Sequence, residues 1–358
     1  DDPTRVTLSL WAPLKSSVYL IGDFNGWQID AAYLMKKDGE HFWLELTGLA
    51  PAEEYGYQYL VDESIWIADP YADKILDPDD QFIPSSTYPS LKTYPSGALH
   101  QSSADNRVAI FQTDQEAYDW QTTDFIKPLR EDLIVYELLI RDYLGENSAN
   151  YATLIDTLSY IKGLGVNAIE LMPIMEFNGN DSWGYNPTFM FAADKAYGPK
   201  NDLKMFVDSA HHLGMAVILD MVMNQNDVPS PYAKMYFDGK PTSENPWFNR
   251  EAAHPFNVFY DINHESSYTK QWLDTINHYW LNEYRFDGFR FDLSKGFTQR
   301  NNPNDVAAWS NYDGSRISIL KRMATAIWQH SPDAYVILEH FAENSEEKIL
   351  SDFGMMLW

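Results

Sequence analysis

The chain has 358 residues, 45% of them apolar, enough to bury a sizeable core and too apolar for a disordered segment. A typical domain has roughly 100–200 residues, so one large domain plus a smaller one is expected. With 52 acidic against 26 basic side chains and a formal charge of −26, nucleic acid and anionic membrane surfaces are excluded as main partners. No apolar run approaches the ~20 residues of a membrane span, so membrane insertion is not expected either. Cysteine is absent, which removes disulfides, thiolate metal sites and cysteine nucleophiles together. Aromatic residues reach 15%, and their flat faces with a polar edge suit sugar rings as well as cores. The start at Asp1-Asp2, with neither initiator Met nor apolar leader, reads as processed or trimmed, which favours a secreted or periplasmic protein over a cytoplasmic one. Oligomeric state is not legible in the sequence.

In chain order, residues 1–83 read as a small antiparallel, immunoglobulin-like β-sandwich. Period-two alternation sets Val6, Leu8 and Leu10 on one strand, Phe42, Leu44 and Leu46 on a second, and Tyr55, Tyr57, Tyr59 and Val61 on a third. Turn signals at Phe24-Asn25-Gly26 and Lys37-Asp38-Gly39 separate them. A Pro-, Ser- and Tyr-rich stretch begins at Pro84, and 84–131 is taken as a linker or wrapping segment. From Asp132 short apolar strands are predicted at 133–136, 168–172, 216–219, 289–291 and 335–338, with a sixth starting at Met355. Between them, Asn201 is a candidate cap for a helix with Leu203, Phe206, Val207, Ala210 and Leu213 on one face, stopped by Gly214. A second helix from about Ser267 carries Trp272, Ile276, Tyr279 and Tyr284, and a third carries Ile317, Leu320, Met323 and Ile327. Strands apolar on both faces belong in a parallel sheet covered on both sides. Repeated β-α units over 132–358 predict an α/β domain, either a barrel or a doubly wound sheet, with a long loop at 221–266 after the third strand.

The strongest chemical signal lies just beyond these strands. Leu219 gives way to Asp220, Phe291 to Asp292 and Leu338 to Glu339. Acidic groups at the carboxyl ends of parallel strands converge on the barrel mouth where catalytic residues sit. Any one of them is better read as a loop cap. Three together, with Arg290 two residues before Asp292 and so on the same strand face, point to a site. Paired carboxylates there suit cleavage of a glycosidic bond, one ionised to attack the anomeric carbon and one protonated to serve the leaving oxygen. Arginine beside the first would hold it ionised, while the aromatic surroundings of the second, His340-Phe341, would help it keep a proton.

Asp220-Met221-Val222-Met223-Asn224, Gly288-Phe289-Arg290-Phe291-Asp292 and Ile337-Leu338-Glu339 resemble three ordered signature segments of the α-amylase family of glycoside hydrolases. Leu171-Met172-Pro173-Ile174-Met175-Glu176-Phe177 is similar to a further segment near the second strand. Trp183-Gly184-Tyr185 before Ala196-Tyr197-Gly198 resembles the loop that supplies a sugar-stacking tyrosine. The resemblance spans roughly Asp132 to Trp358 and implies a retaining enzyme on a (β/α)8 TIM-type barrel, acting on α-glucans such as starch, glycogen and maltooligosaccharides. It implies Asp292 as nucleophile, Glu339 as general acid/base and Arg290 as the residue orienting the nucleophile. On the substrate side it implies Tyr185 stacking on a sugar, Asp220 buttressing the arginine, Lys295 towards the leaving group, and Gln225 and His340 as further contacts. No cofactor is required by that chemistry; the family often ligates calcium near the position of Asn224, with Asp227 and Asp238 as the nearby carboxylates. At the N-terminus, Leu10-Trp11-Ala12-Pro13, Gly22-Asp23-Phe24-Asn25-Gly26-Trp27 and Asp69-Pro70-Tyr71-Ala72 resemble the sandwich that precedes the barrel in branching and debranching enzymes. Trp27 and Trp43 are its candidates for stacking on glycan, with core packing an equal alternative.

Three departures qualify the match. Gln225 stands where the family has histidine, Gly296 follows Lys295 where histidine is expected, and the later segment supplying a third carboxylate is missing. Asn263-His264-Glu265 looks like it but precedes Asp292, so it is assigned to the loop after the third strand. Too few residues follow Glu339 for three more β-α units, so the chain is expected to be the front of a longer protein. Two functions stay open on the sequence: an α-glucan-active hydrolase or transglycosylase of amylase, debranching or branching type, and a noncatalytic glycan-binding or sensing protein on an inactive barrel.

Overall fold

The computed structural model describes residues 2–95, 107–145 and 148–358. The first part comprises β1 (Arg5–Trp11), β2 (Val18–Gly22), β3 (Lys36–Asp38), β4 (His41–Thr47), β5 (Glu54–Val61), β6 (Ile65–Ile67), β7 (Ile75–Leu76) and β8 (Val108–Gln112). They form two sheets, β1-β4-β3 and β2-β5-β8-β7, with β6 also on β5. The alternation read from the sequence sets the register: Leu8 lies opposite Leu44 and Leu10 opposite Phe42. Leu8, Leu10, Phe42 and Leu46 share a core with Tyr57, Tyr59 and Val61 of the facing sheet. The other face of β5 is also covered, because Leu60 packs with Ile21, Trp27, Leu76, Val108 and Ile110. Trp27 is therefore buried, its indole N–H donating to Asp23 at 2.9 Å, while Trp43 is half-buried under the Lys36 ammonium.

The stretch expected as a linker departs from that description. Its Val108–Gln112 segment is β8, pairing antiparallel with β5 from Glu54↔Gln112 to Tyr57↔Ala109. Four apolar residues, Val108 to Phe111, buried on both faces suffice to fill a central position in the sheet, and the Pro- and Ser-rich composition upstream hides them. Residues 96–106 of that stretch lie outside the described residues.

The second part continues with β9 (Val135–Leu138), α1 (Ile140–Leu144), α2 (Tyr151–Gly163), β10 (Ala168–Leu171), β11 (Met175–Phe177), β12 (Pro187–Ala193), α3 (Lys200–His212) and β13 (Ala216–Met221). The long loop after β13 carries β14 (Gln225–Asn226), α4 (Pro231–Lys234) and β15 (Tyr260–Asp261). Next come α5 (Ser267–Glu283), β16 (Gly288–Phe291), α6 (Val306–Ser310), α7 (Gly314–His330), β17 (Tyr335–Leu338), α8 (Asn344–Phe353) and β18 (Met356–Leu357). The parallel sheet runs β9-β10-β13-β16-β17-β18, each strand beside its successor in sequence. A doubly wound sheet reverses its order at a switch point. The unbroken order is that of a (β/α)8-type barrel, with six of its strands among the described residues.

Period two then divides the side chains. Ala168, Ala216, Ile218, Tyr335 and Ile337 point to one face and cluster with Val135 and Met356. Ile169, Leu171, Val217, Leu219, Phe289, Phe291, Val336 and Leu338 point to the other, packing with Leu158, Phe206, Ile276 and Leu320 of the surrounding helices. Each such buried side chain is worth ~1.5–3 kcal/mol, so the helical layer fixes the strands that carry the site. Gly288 has to lack a side chain, since a Cβ there would lie 2.3 Å from the Tyr335 carbonyl.

Two local expectations shift. The first barrel strand begins at Val135 rather than residue 133, because the Asn167 side chain takes the Ile134 amide at 2.7 Å. Helix α3 begins at Lys200 with Pro199 as its cap residue, so Asn201 lies inside it. Sandwich and barrel pack directly: Tyr71 stacks on Phe191, Trp11 meets Trp247 edge-on, and buried Lys195 is ion-paired with Glu176, Asp80 and Asp77.

Candidate active site

Parallel pairing aligns Asp220 of β13 with Arg290 of β16, and the same inner face continues to Asp292 and Glu339, the first residues beyond β16 and β17. Arg290 gathers them. Its Nη1 donates to Asp220 Oδ1 at 2.9 Å and to Asp292 Oδ1 at 3.1 Å, while Nη2 lies 3.2 Å from Glu339 Oε2. Behind it, Nε lies 3.9 Å from Glu170 Oε1. One planar guanidinium thus holds the two carboxyls at the strand ends in a fixed mutual position.

The backbone reinforces this. Leu293, immediately after Asp292, adopts the left-handed region with φ 43° and ψ 45°, a conformation that costs a leucine roughly 1–2 kcal/mol. The turn aims the Leu293 amide at Glu339 Oε2, 2.9 Å away, and the next amide, Ser294, at the Glu339 carbonyl at 2.9 Å. Local strain is thereby exchanged for a general-acid candidate held at two points.

Burial pushes the Asp292 carboxyl up to about 6; Arg290 pulls it back, and Glu339, within hydrogen-bonding reach, pushes it further up. Asp220 is also raised by burial against the pull of Arg290, and Glu170 is pushed by burial up to about 7. Burial would strip the proton from Arg290, but Asp220, Glu339 and Asp292 outweigh it and keep the guanidinium charged.

Of the residues singled out from the sequence, Asp220, Arg290, Asp292, Glu339 and Tyr185 come together. The Tyr185 hydroxyl donates to Asp220 Oδ2 at 2.7 Å. Gly184 makes that approach practicable: its φ is +91°, and a Cβ would lie 2.2 Å from the Pro173 carbonyl. Gln225 is buried behind Tyr185, its amide donating to the Tyr185 carbonyl at 3.0 Å and its oxygen accepting from Asn224 at 2.7 Å. Both polar ends are used, so Gln225 fixes the tyrosine loop. Lys295 and His340 lie on the far side of the Glu339 strand end. Lys295 donates to the Phe341 carbonyl at 2.9 Å with its ammonium over the Trp309 ring, and His340, 1% exposed, sits between Ser294 and Glu346.

Sequence reasoning missed Glu137 and Glu170. They are direct partners on β9 and β10, and with Asp220 they bring acidic oxygens within 4.8 Å of one another under Arg290. Their signal was a charged residue in the middle of an otherwise apolar strand. The carboxylates expected beside Asn224 for calcium, Asp227 and Asp238, have partners within the protein. Asp227 turns one oxygen to the Val228 amide and the other towards Asn186, and Asp238 is ion-paired with Arg250 at the surface.

A carboxylate pair clamped by arginine at the carboxyl ends of successive barrel strands is an arrangement that cleavage of a glycosidic bond can use. Comparison with known proteins agrees. Residues 135–260 match the family of the alpha amylase catalytic domain, and residues 1–72 match carbohydrate-binding module 48, the isoamylase N-terminal domain. The chain is thus similar to α-amylase-family proteins over residues 135–260 and to module-48 sandwiches over residues 1–72. It is 30% identical over 81% of its length to a malto-oligosyltrehalose trehalohydrolase of Saccharolobus solfataricus, and 29% identical over 92% to a 1,4-alpha-glucan branching enzyme of Pseudoalteromonas atlantica. It spans 44% of the length of each. A crystal structure of type I pullulanase from Bacillus subtilis complexed with maltose superposes with a TM-score of 0.68 at 22% identity, covering 95% of this chain and 46% of that one. A pullulanase from Bacillus acidopullulyticus gives 0.68 at 20% identity, over 96% and 41%. At these identities the likeness is one of fold. No described helix is long and apolar enough to cross a membrane.

Proposed function

We propose that this protein is a retaining glycoside hydrolase or transglycosylase acting on α-glucans through a covalent glycosyl-enzyme intermediate. The observation that carries the proposal is the Arg290 clamp, which holds Asp292 on one nitrogen and Glu339 on the other. Asp292 attacks the anomeric carbon as Glu339 gives its proton to the departing glycosidic oxygen. Glu339, now ionised, takes a proton from water or from an acceptor sugar hydroxyl, which displaces Asp292. Arg290 draws the nucleophile towards its ionised form against the push of burial, and Asp220 with Tyr185 keeps Arg290 in plane. Trp183 and Phe341, both well exposed, offer flat faces two residues from Tyr185 and Glu339 respectively. The relatives' names, trehalohydrolase and branching enzyme, support cleavage or transfer on α-glucans.

The noncatalytic alternative rested partly on Gln225. With that side chain engaged on Tyr185 and Asn224, the substitution is a structural one and lends the alternative no weight. The test is chromatography of maltoheptaose incubated with the intact protein. Cleaved or transferred products are expected from the wild type and none from Asp292→Asn. An unchanged sugar profile with wild type would sink the proposal.

A further inference from the structure

A chain of buried polar groups stands behind Glu339. The Arg316 side chain is fully buried on α7. Its Nε and Nη2 donate to the two oxygens of Glu346 on α8, at 2.7 and 2.8 Å, and its Nη1 reaches the Lys295 and Trp309 carbonyls. Glu346 Oε1 also lies 2.9 Å from His340 Nε2. His340 Nδ1 lies 2.9 Å from Ser294 Oγ, and Ser294 Oγ lies 2.9 Å from the Glu339 carbonyl.

Proton counting makes this arrangement specific. Glu346, paired with Arg316, is a carboxylate and only accepts, so His340 carries its proton on Nε2. Glu347 adds to the negative field and Arg316 to the positive one, while burial disfavours a charged ring. A neutral ring then has a bare Nδ1. The Ser294 hydroxyl, with one proton, faces two acceptors at equal distance, Nδ1 and the Glu339 carbonyl. With the hydroxyl proton given to Nδ1 and the Ser294 amide donating to the Glu339 carbonyl at 2.9 Å, the residue joins the imidazole to the main chain that carries Glu339.

We propose that Ser294 and His340 are positioning residues for the general acid, transmitting the fixed geometry of the buried Arg316–Glu346 pair to the backbone of Glu339. This rests on Glu339 acting as the acid, as proposed above. Neither residue touches the reacting atoms. Removing either loosens the acid and leaves the nucleophile, which Arg290 holds independently.

The leaving group separates these roles. A glycosidic oxygen needs protonation, whereas fluoride departs with little help, and kcat/KM reports the first chemical step alone. In the intact protein, Ser294→Ala and His340→Phe should lower kcat/KM for maltoheptaose about tenfold to hundredfold, the scale of a misplaced catalytic group. The kcat/KM for α-maltosyl fluoride should stay within about twofold of wild type, which also shows that the variants fold. Equal losses on both substrates, or no loss on either, would overturn the proposal. A wild type inactive on both would instead remove the proposed glycosidase reading, and with it the roles of Asp292 and Glu339. The network has its own readout in nitrogen-15 NMR of the imidazoles. His340, identified by its loss in His340→Phe, should be the Nε2–H tautomer, with its Nδ1 resonance shifted in Ser294→Ala. An unmoved Nδ1 resonance would refute the hydrogen-bond chain.

Discussion

Replacing Arg290 by lysine keeps the positive charge and removes the fork. In the wild type two terminal nitrogens make three contacts within 3.2 Å, to Asp220, Asp292 and Glu339, with Glu170 behind. A single ammonium on a flexible stem can satisfy one of these carboxylates well, so two charge-assisted contacts are lost. Each is worth about 1.5–3 kcal/mol, giving about 3–6 kcal/mol in total. At about 1.4 kcal/mol per tenfold in rate, Arg290→Lys should lower kcat/KM on maltoheptaose by roughly 10²–10⁴. The loss should fall mainly in kcat, since the clamp orients reacting groups rather than distal sugars. Circular dichroism and a melting curve close to wild type establish that the barrel remains folded. A correctly folded Arg290→Lys enzyme within tenfold of wild type would show that the clamp is not what aligns the two carboxyls.

Gln225→Ala should leave the Tyr185 carbonyl and the Asn224 amide without partners, a loss of ~1–3 kcal/mol that appears in KM more than in kcat; combining it with Tyr185→Phe should give less than the sum of the two effects, and strict additivity would separate Gln225 from the tyrosine loop. For Glu170, the folded-state value of about 7 lies above the ordinary 4.5, so the folded form binds the proton more tightly. Its contribution to stability is therefore full below pH ~4.5 and is lost as pH rises through ~7, by up to ~3 kcal/mol. Glu170→Gln should flatten denaturant-midpoint curves over that window, and curves parallel to wild type would contradict the burial argument. The Asp292 carboxyl, pushed up to about 6 by burial, predicts that kcat/KM rises as pH rises through about 6, because the nucleophile has to be ionised to attack. A profile flat from pH 5 to 8 would show that the Asp292 carboxyl is not raised.

Much of this architecture is legible in the sequence because parallel strands are apolar on both faces and so stand out as short uninterrupted runs. Asp220, Asp292 and Glu339 could be read for a related reason: each is the first charged residue after such a run, and Arg290 shares a face with Asp292 by period two. Glu137 and Glu170 were not, since a lone acid inside a four-residue strand carries no sign of which face it takes until register pairs it with a neighbour. β8 was hidden by the composition of the residues before it. His340 was misjudged in role because its partners, Glu346 and Arg316, come from α8 and α7 and reach it only through tertiary packing. Gln225 looked like a departure at a substrate contact, whereas its bonds to Tyr185 and Asn224 make it part of the scaffold.

The covalent step is tested most directly by trapping. A 5-fluorinated α-glycosyl fluoride forms a glycosyl-enzyme quickly and releases it slowly, so incubation with the intact protein and then proteolysis and mass spectrometry locate the bond. The expected result is one added glycosyl group on the peptide containing Gly288-Phe289-Arg290-Phe291-Asp292, at the Asp292 carboxyl, and no adduct in Asp292→Asn. An adduct on Glu339 or Asp220, or steady turnover of α-glucan with no adduct on Asp292, would contradict the assignment of Asp292 as nucleophile.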